Sequence, residues 1–238
     1  LAAYVNSLRE LPPSPYRNPD GTLTADGEAG SVIFIAAGCA SCHGGAQFTD
    51  SPTGLRHQIG TITHASGQRL GTPLWGLDTP TLRGLWLTAP YLHDGSAPTL
   101  ASLFTTRNPL GLYGSLQSFQ ATNPRAIDQL VAYLLQIDAS EPTFDLPSLA
   151  IDIVSPVEDA RVPVGQPLLI QVNIAAMMGP ASHVDYYLND ELIGTATGPL
   201  YSLHWTPTVA GNMEITAHLV YESGATTLGP PRHFEVLP

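Results

Sequence analysis

Cys39, Cys42 and His43, in the run GCASCHGG at 38–45, are the residues best equipped for chemistry in this 238-residue chain. Both cysteines of the chain sit here, three positions apart, with the histidine directly after the second. Two thiols so spaced can hold zinc, exchange with disulfides, or attach a porphyrin. A structural zinc needs four ligands, and no second cysteine pair exists to complete them. Cys39 and Cys42 would share a helical face, whereas His43 lies about 100° further round. A thioredoxin-type pair wants a βαβ setting and has no use for the adjacent imidazole. Haem attachment uses all three side chains: the thiols add to the porphyrin vinyl groups and the imidazole ligates iron. The spacing therefore predicts one covalent haem c, with His43 as the proximal iron ligand. Both thiols are then consumed, which leaves no disulfide. Such attachment is made outside the cytoplasm, so the expected location is periplasmic or extracellular.

The elements around the motif divide the chain. Residues 1–8, LAAYVNSL, echo 130–137, LVAYLLQI, with Leu, Ala and Tyr in register. The chain opens without Met or a basic leader, so 1–8 is expected to be the last helix of a preceding, related domain. A Pro-rich connector covers 9–23. Thr24 is placed to cap a helix running into the cysteines, and Asn123-Pro124 to start another with Ile127, Leu130, Val131, Leu134 and Leu135 on one face. Between them the text is rich in Gly, Pro and Thr, as expected of a chain wrapped around a large prosthetic group. Residues 9–138 are thus read as a mainly α, loop-rich cytochrome c domain of class I type, and 139–148, ASEPTFDLPS, as a linker.

After the linker the apolar period changes from 3.6 to 2. Leu168, Ile170, Val172 and Ile174 share one face, as do Tyr201, Leu203 and Trp205, and Ile215, Ala217, Leu219 and Tyr221. HVDYYLNDELIGT reads as a hairpin turning at Asn189-Asp190. About seven short strands in 149–238 predict an all-β immunoglobulin-like sandwich without the intersheet disulfide. The fold class is therefore multidomain. The words VDYYLNDELIGTATGPLYSLHWTPTVAG resemble bacterial immunoglobulin-like modules of secreted proteins. Tyr187, read as an outward aromatic, is a candidate sugar platform there.

The formal charge is −11, and every basic residue is Arg; −4 lies in 1–146 and −7 in 147–238. Phosphate binding needs a basic surface, so nucleic acid is not an expected partner. The acidic balance reads as a solvated surface that keeps the protein soluble, with docking to a basic redox partner as the sharper alternative. No run of 18 apolar residues exists, so no membrane span is expected.

CASCHGG followed by HQIGT, DTPTLRGLWLTAPYLHDGSAPTL and the closing LVAYLLQID resembles the C-terminal haem domain of the bacterial di-haem cytochrome c peroxidase superfamily. The resemblance covers about 9–138. It implies tandem haem domains, with a preceding haem domain as one redox partner, and it places Thr79 to Gly84 against the haem with Arg83 as a propionate partner. In that family a Met after HDG usually completes the iron. Here Met177, Met178 and Met213 all lie in the β-region, so a thioether from the cytochrome region is excluded. His93, in YLHDGS, and Tyr113, where the family's separate ligand is expected, are the distal candidates. His57 and His64 are weaker ones, better read as loop or hydrogen-bonding residues. Two strong ligands would restrict the site to electron transfer, whereas a weak Tyr or an open position would admit peroxide or oxygen chemistry. Electron transfer is the expected function. The alternatives are a peroxidase or oxygenase unit, and a surface- or polysaccharide-binding module that carries a haem domain.

Overall fold

A computed structural model describes residues 11–62, 66, 68–69, 72–105, 116, 120–145, 151–174 and 180–238. They form two compact units: an α unit from Leu1–Thr49 and Pro80–Leu146, and a β unit from Asp50–Thr79 and Pro147–Pro238.

The α unit is built on two helices, α1 (Ala25–Ala36) and α3 (Ala126–Leu134), with the short α2 (Leu100–Thr105) beside them. Thr24 caps α1 as its sequence position requires: its hydroxyl accepts the Gly27 N–H at 3.1 Å. Gln136 then holds the cap from the other helix end, accepting the Thr24 N–H at 2.8 Å and donating to its hydroxyl at 3.0 Å. The helices touch closely at Gly30, where an added Cβ would stand 2.0 Å from the Gln129 carbonyl oxygen. Only glycine fits there. Ile127, Leu130 and Leu134 of α3 are buried, joined by Ala126 and Tyr133, while Val131 and Leu135 pack at the margin. The helix begins at Ala126, two residues after the expected start, because Asn123 accepts from the Arg125 N–H at 3.1 Å in a turn that precedes it.

The core of this unit is aromatic. Phe34 lies 5.4 Å from Tyr133 edge-on and 5.7 Å from Phe144 stacked, and Phe48 meets Phe144 at 5.9 Å. Phe144 falls within the segment expected to be a linker. Glu141 from the same segment is buried and pairs with Arg17, which also approaches Asp138 at 3.2 Å. The described residues 139–145 are therefore integral to the α unit, since their apolar and charged side chains find partners in it.

The β unit has the expected sandwich pattern. One sheet runs β1 (Arg56–Gln58), β11 (Thr226–Leu228), β10 (Gly211–Tyr221), β12 (Arg232–Leu237), β5 (Ala160–Pro163), with β7 (Ala181–Leu188) on the other edge of β10 and β8 (Glu191–Ala196) beyond it. A second sheet joins β4 (Ile151–Ser155), β6 (Leu168–Ile174) and β9 (Leu203–Trp205). The two-residue strands β2 (Gln68–Arg69) and β3 (Thr72–Pro73) pair with each other. Ile215, Ala217, Leu219 and Tyr221 alternate inward along β10, as read from their period, and are buried, as are Ile151, Ile153 and Ile170 of the second sheet. Asn189 and Asp190 make the β7–β8 turn with φ of 48° and 67°, the left-handed pair that a two-residue hairpin demands. On β6 only Ile170 is fully buried, and Tyr201 lies outside β9 with φ 47°.

One difference matters most. Residues 50–79, expected within a continuous 9–138 domain, group with the β unit. The cause is pairing: β1 aligns antiparallel with β11, Arg56 opposite Leu228, His57 opposite Thr227 and Gln58 opposite Thr226.

Candidate cofactor site

The site grows from the end of α1. Ala37 closes the helix, and Gly38, with φ 78°, turns the chain into a single 3₁₀ turn, Cys39–Ser41. The Cys39 carbonyl receives the N–H groups of Cys42, at 3.3 Å, and His43, at 2.9 Å. One carbonyl thus gathers all three residues of the motif. Neither Cys39 nor Cys42 is in a disulfide. Cys39 packs against the core cluster, and burial pushes its thiol up to about 12, with the neighbouring Cys42 thiol adding to the shift.

His43 lies in a loop whose geometry fixes its tautomer. Its Nδ1 stands 3.3 Å from the Phe48 carbonyl oxygen. A carbonyl can only accept, so Nδ1 carries the proton and Nε2 carries the lone pair. Metal-bound histidines are commonly oriented by such a bond. The loop closes on itself through Phe48 N–H to Gly45 O at 3.1 Å and Thr49 N–H to Gly44 O at 2.8 Å, and Gly45 N–H reaches the Phe144 carbonyl at 2.6 Å. Two reduced thiols on one turn and a neighbouring imidazole with Nε2 as its acceptor nitrogen form a donor set that fits haem c.

Arg83 lies beside the loop that follows His43. Its Nε and one Nη donate to the Ala46 carbonyl at 3.1 and 3.0 Å, and the other Nη donates to the Asp138 carbonyl. The guanidinium also lies 5.1 Å over the Phe48 ring. Arg83 is a clamp that ties the loop after His43 to the chain beyond α3 through backbone carbonyls. Thr81 adds to the clamp by donating to the Gln47 carbonyl.

His93 is exposed at a turn closed by paired bonds between Tyr91 and Ala97, at 2.7 and 3.2 Å. Tyr113, His64, Met177, Met178 and residues 1–8 lie outside the described residues. His57 belongs to the β unit and is buried. Its Nε2 meets Asp50 at 2.7 Å and its Nδ1 meets Thr227 at 3.1 Å, so it is the hydrogen-bonding residue expected. The set Thr227, His57 and Asp50 has the order of a hydrolase triad, yet Thr227 is 0% exposed and no substrate could reach it. Tyr187 is no open platform either. It stacks on His218 at 4.3 Å and meets Trp75 at 4.9 Å. Sequence reasoning missed Phe48, whose contribution is a backbone carbonyl that any residue could supply. It missed Arg17 and Thr227 because their partners are distant in the chain.

Residues 76–113 match the family model described as RoxA-like, cytochrome c-like, and residues 150–217 match that of a bacterial Ig domain. Hydrazine synthase subunit gamma of Kuenenia stuttgartiensis is 31% identical over 56% of this chain and 47% of its own length. A cytochrome c551 peroxidase of Nitrosomonas europaea is 31% identical over 53% of this chain and 38% of its own. A cytochrome c peroxidase of Escherichia coli is 36% identical over 37% and 22%. The chain is a relative of the di-haem cytochrome c peroxidases, joined to an immunoglobulin-like domain. It spans less than half the length of the curated relatives it matches. For this cytochrome c-like chain, haem c is the cofactor that the match supports. The matched segment contains Arg83 and His93 and ends at Tyr113. Among the described residues no helix is long and apolar enough to cross a membrane.

Proposed function

We propose that the chain binds one haem c through Cys39 and Cys42, with His43 Nε2 on the iron, and that it transfers electrons outside the cytoplasm. Bound haem supplies a reversible one-electron couple whose potential follows axial ligation and burial. The chain's own residues do the positioning. The turn after α1 presents the two thiols, the Phe48 carbonyl orients the His43 ring, and Arg83 keeps that loop closed. One observation supports the reading: the Cys39 carbonyl gathers the N–H groups of Cys42 and His43, and His43 Nδ1 faces the Phe48 carbonyl. The second iron ligand is drawn from His93 or Tyr113. The electrons are exchanged with a redox partner protein or with a preceding haem domain of a longer protein, in the periplasm or beyond it.

The test is the mass and colour of the chain made in a host that attaches c-type haem. The expected result is the polypeptide plus one haem, with a haemochrome spectrum of thioether type that Cys39→Ser and Cys42→Ser each alter. A colourless product with the mass of bare amino acids overturns the proposal. A second reading, part of a peroxidase or oxygenase unit, is favoured by the peroxidase relatives. Low-temperature EPR of the ferric protein beside its His93→Ala and Tyr113→Phe variants separates the two. A low-spin signal lost in one variant supports electron transfer, and a high-spin signal with sustained peroxide turnover supports the enzyme.

A further inference from the structure

Between the cysteine motif and the cytochrome c-like match lies a stretch, 50–75, that neither family model covers. Its described residues are attached to the β unit in three ways. The first is the backbone: β1 adds to the sheet beside β11, and His57 and Leu77 exchange N–H···O bonds at 2.8 and 2.9 Å on the other side of β1. The second lies on the outer face of that sheet. Trp75 meets Tyr187 at 4.9 Å and His218 at 5.9 Å, and Gly76 is so close to Arg56 and Leu228 that a Cβ would stand 3.1 Å from each.

The third is polar and fully enclosed. Tyr221 donates its hydroxyl proton to Thr227 Oγ1 at 3.2 Å. Thr227 Oγ1 is 3.1 Å from His57 Nδ1, and His57 Nε2 is 2.7 Å from Asp50 Oδ2. A carboxylate accepts, so Nε2 carries a proton, and Nδ1 on the other side of the ring is in hydrogen-bond contact with Thr227. The contacts run in one line from Tyr221 through Thr227 and His57 to Asp50. Asp50 Oδ1 has no hydrogen-bond partner among the described residues, so the imidazole is the main compensation for a carboxylate that is 2% exposed. Asp50 and His57 come from the segment, Thr227 and Tyr221 from the sheet. Each half satisfies the buried groups of the other, and parting them leaves both with unmade hydrogen bonds.

We propose that 50–58 and 74–79 form a strap that opens and closes with β7, β10 and β11 as one cooperative unit, latched by Asp50, His57, Thr227 and Tyr221. The strap is the occupant of the β11 edge, which an exposed sheet would otherwise offer to another chain. The immunoglobulin-like module therefore extends beyond its 150–217 match and includes residues from the stretch that follows the cysteine motif. A three-residue strand has too little pairing to persist alone. The latch and the Trp75 contact make its closure all-or-none.

Native-state hydrogen exchange on the full 238-residue chain tests this, whatever cofactor is bound, so its outcome is separate from that of the haem reading. The amides of His57 and Leu77 are expected to exchange with the same opening equilibrium as those of Ala217 and Leu219 on β10. Thr227→Val should speed all four by a similar factor, roughly ten- to hundredfold. Thr227→Ser keeps the hydroxyl and should leave them unchanged, which decides the matter even if the valine variant does not fold. Strap amides that exchange well ahead of β10 overturn the proposal. So does a serine variant that opens as readily as the valine one, or a valine variant whose effect stays within 226–228.

Discussion

The two units hold their chains in different ways. In the β unit a repeating backbone ladder does most of the work, and side chains fall in or out by position along a strand. In the α unit the stretch that presents the motif has one short 3₁₀ turn and little other regular structure, and individual side chains hold it by grasping carbonyl oxygens: Arg83 on Ala46 and Asp138, Arg17 on Gln136, Thr81 on Gln47. A ladder shares the loss of one bond among many. A clamp does not.

Substitutions that remove one clamp should therefore cost the α unit more than most single changes. Arg17→Met leaves Asp138 and Glu141 buried without their cation, and should destabilise that unit by about 3–5 kcal/mol, as breaking a buried pair does. Chemical denaturation followed by circular dichroism checks it. A loss below about 1 kcal/mol would mean the cluster behaves like a surface pair, and the contrast between the units would fail. Asp138 itself illustrates the balance: burial pushes its carboxyl up, but the Ser14 N–H, Ser140 and Arg17 together hold it below its ordinary value.

The β unit has its own weak point, and pH exposes it. His218 is buried beneath Trp75, and burial, with Arg56 adding, lowers its imidazole to about 4. The unfolded chain binds a proton there near pH 6.5, whereas the folded one does not until about pH 4. Stability from this group is thus complete above pH 6.5 and is lost as pH falls towards 4, by up to about 3 kcal/mol. His233 has the opposite sign, because Glu158 and Glu214 raise it, but it is exposed and its effect is screened. Thermal melts of the wild type and His218→Gln between pH 7 and 4 separate the two, and the variant should give the flatter profile. The smallest effect expected is that of Thr24→Ala, which removes the α1 cap at a cost of about 1 kcal/mol. A melt of the α unit unchanged by that substitution would show that Gln136 holds the helix start without it.

The same contrast explains what the sequence could reveal. The inward alternation of Ile215, Ala217, Leu219 and Tyr221, the Asn189-Asp190 turn and the Thr24 cap depend on neighbours in the chain, and all were legible. So was the grouping of Cys39, Cys42 and His43, because one turn of backbone brings them together. The rest depends on partners met only in three dimensions. RHQ at 56–58 has no strand signature and becomes one through Thr226–Leu228. Arg83 joins the carbonyls of Ala46 and Asp138, a role that no local pattern spells out. Tyr187 reads as outward by alternation, and Trp75 covers that outer face. Phe144 was assigned to a linker on composition, while its ring completes the aromatic core.

The pairing of His57 with Thr227 spans 170 residues, and this bears on how the protein is made. Chain emerging from a ribosome at about 5–20 residues per second would leave the first strand waiting on the order of 10–30 s for the strand it joins. Contacts so remote in sequence also slow folding in the test tube, since a long loop must close before any of them is rewarded. Until that late strand arrives, the segment after the two cysteines has no sheet edge to join, so this part of the fold is secured only once nearly the whole chain is present.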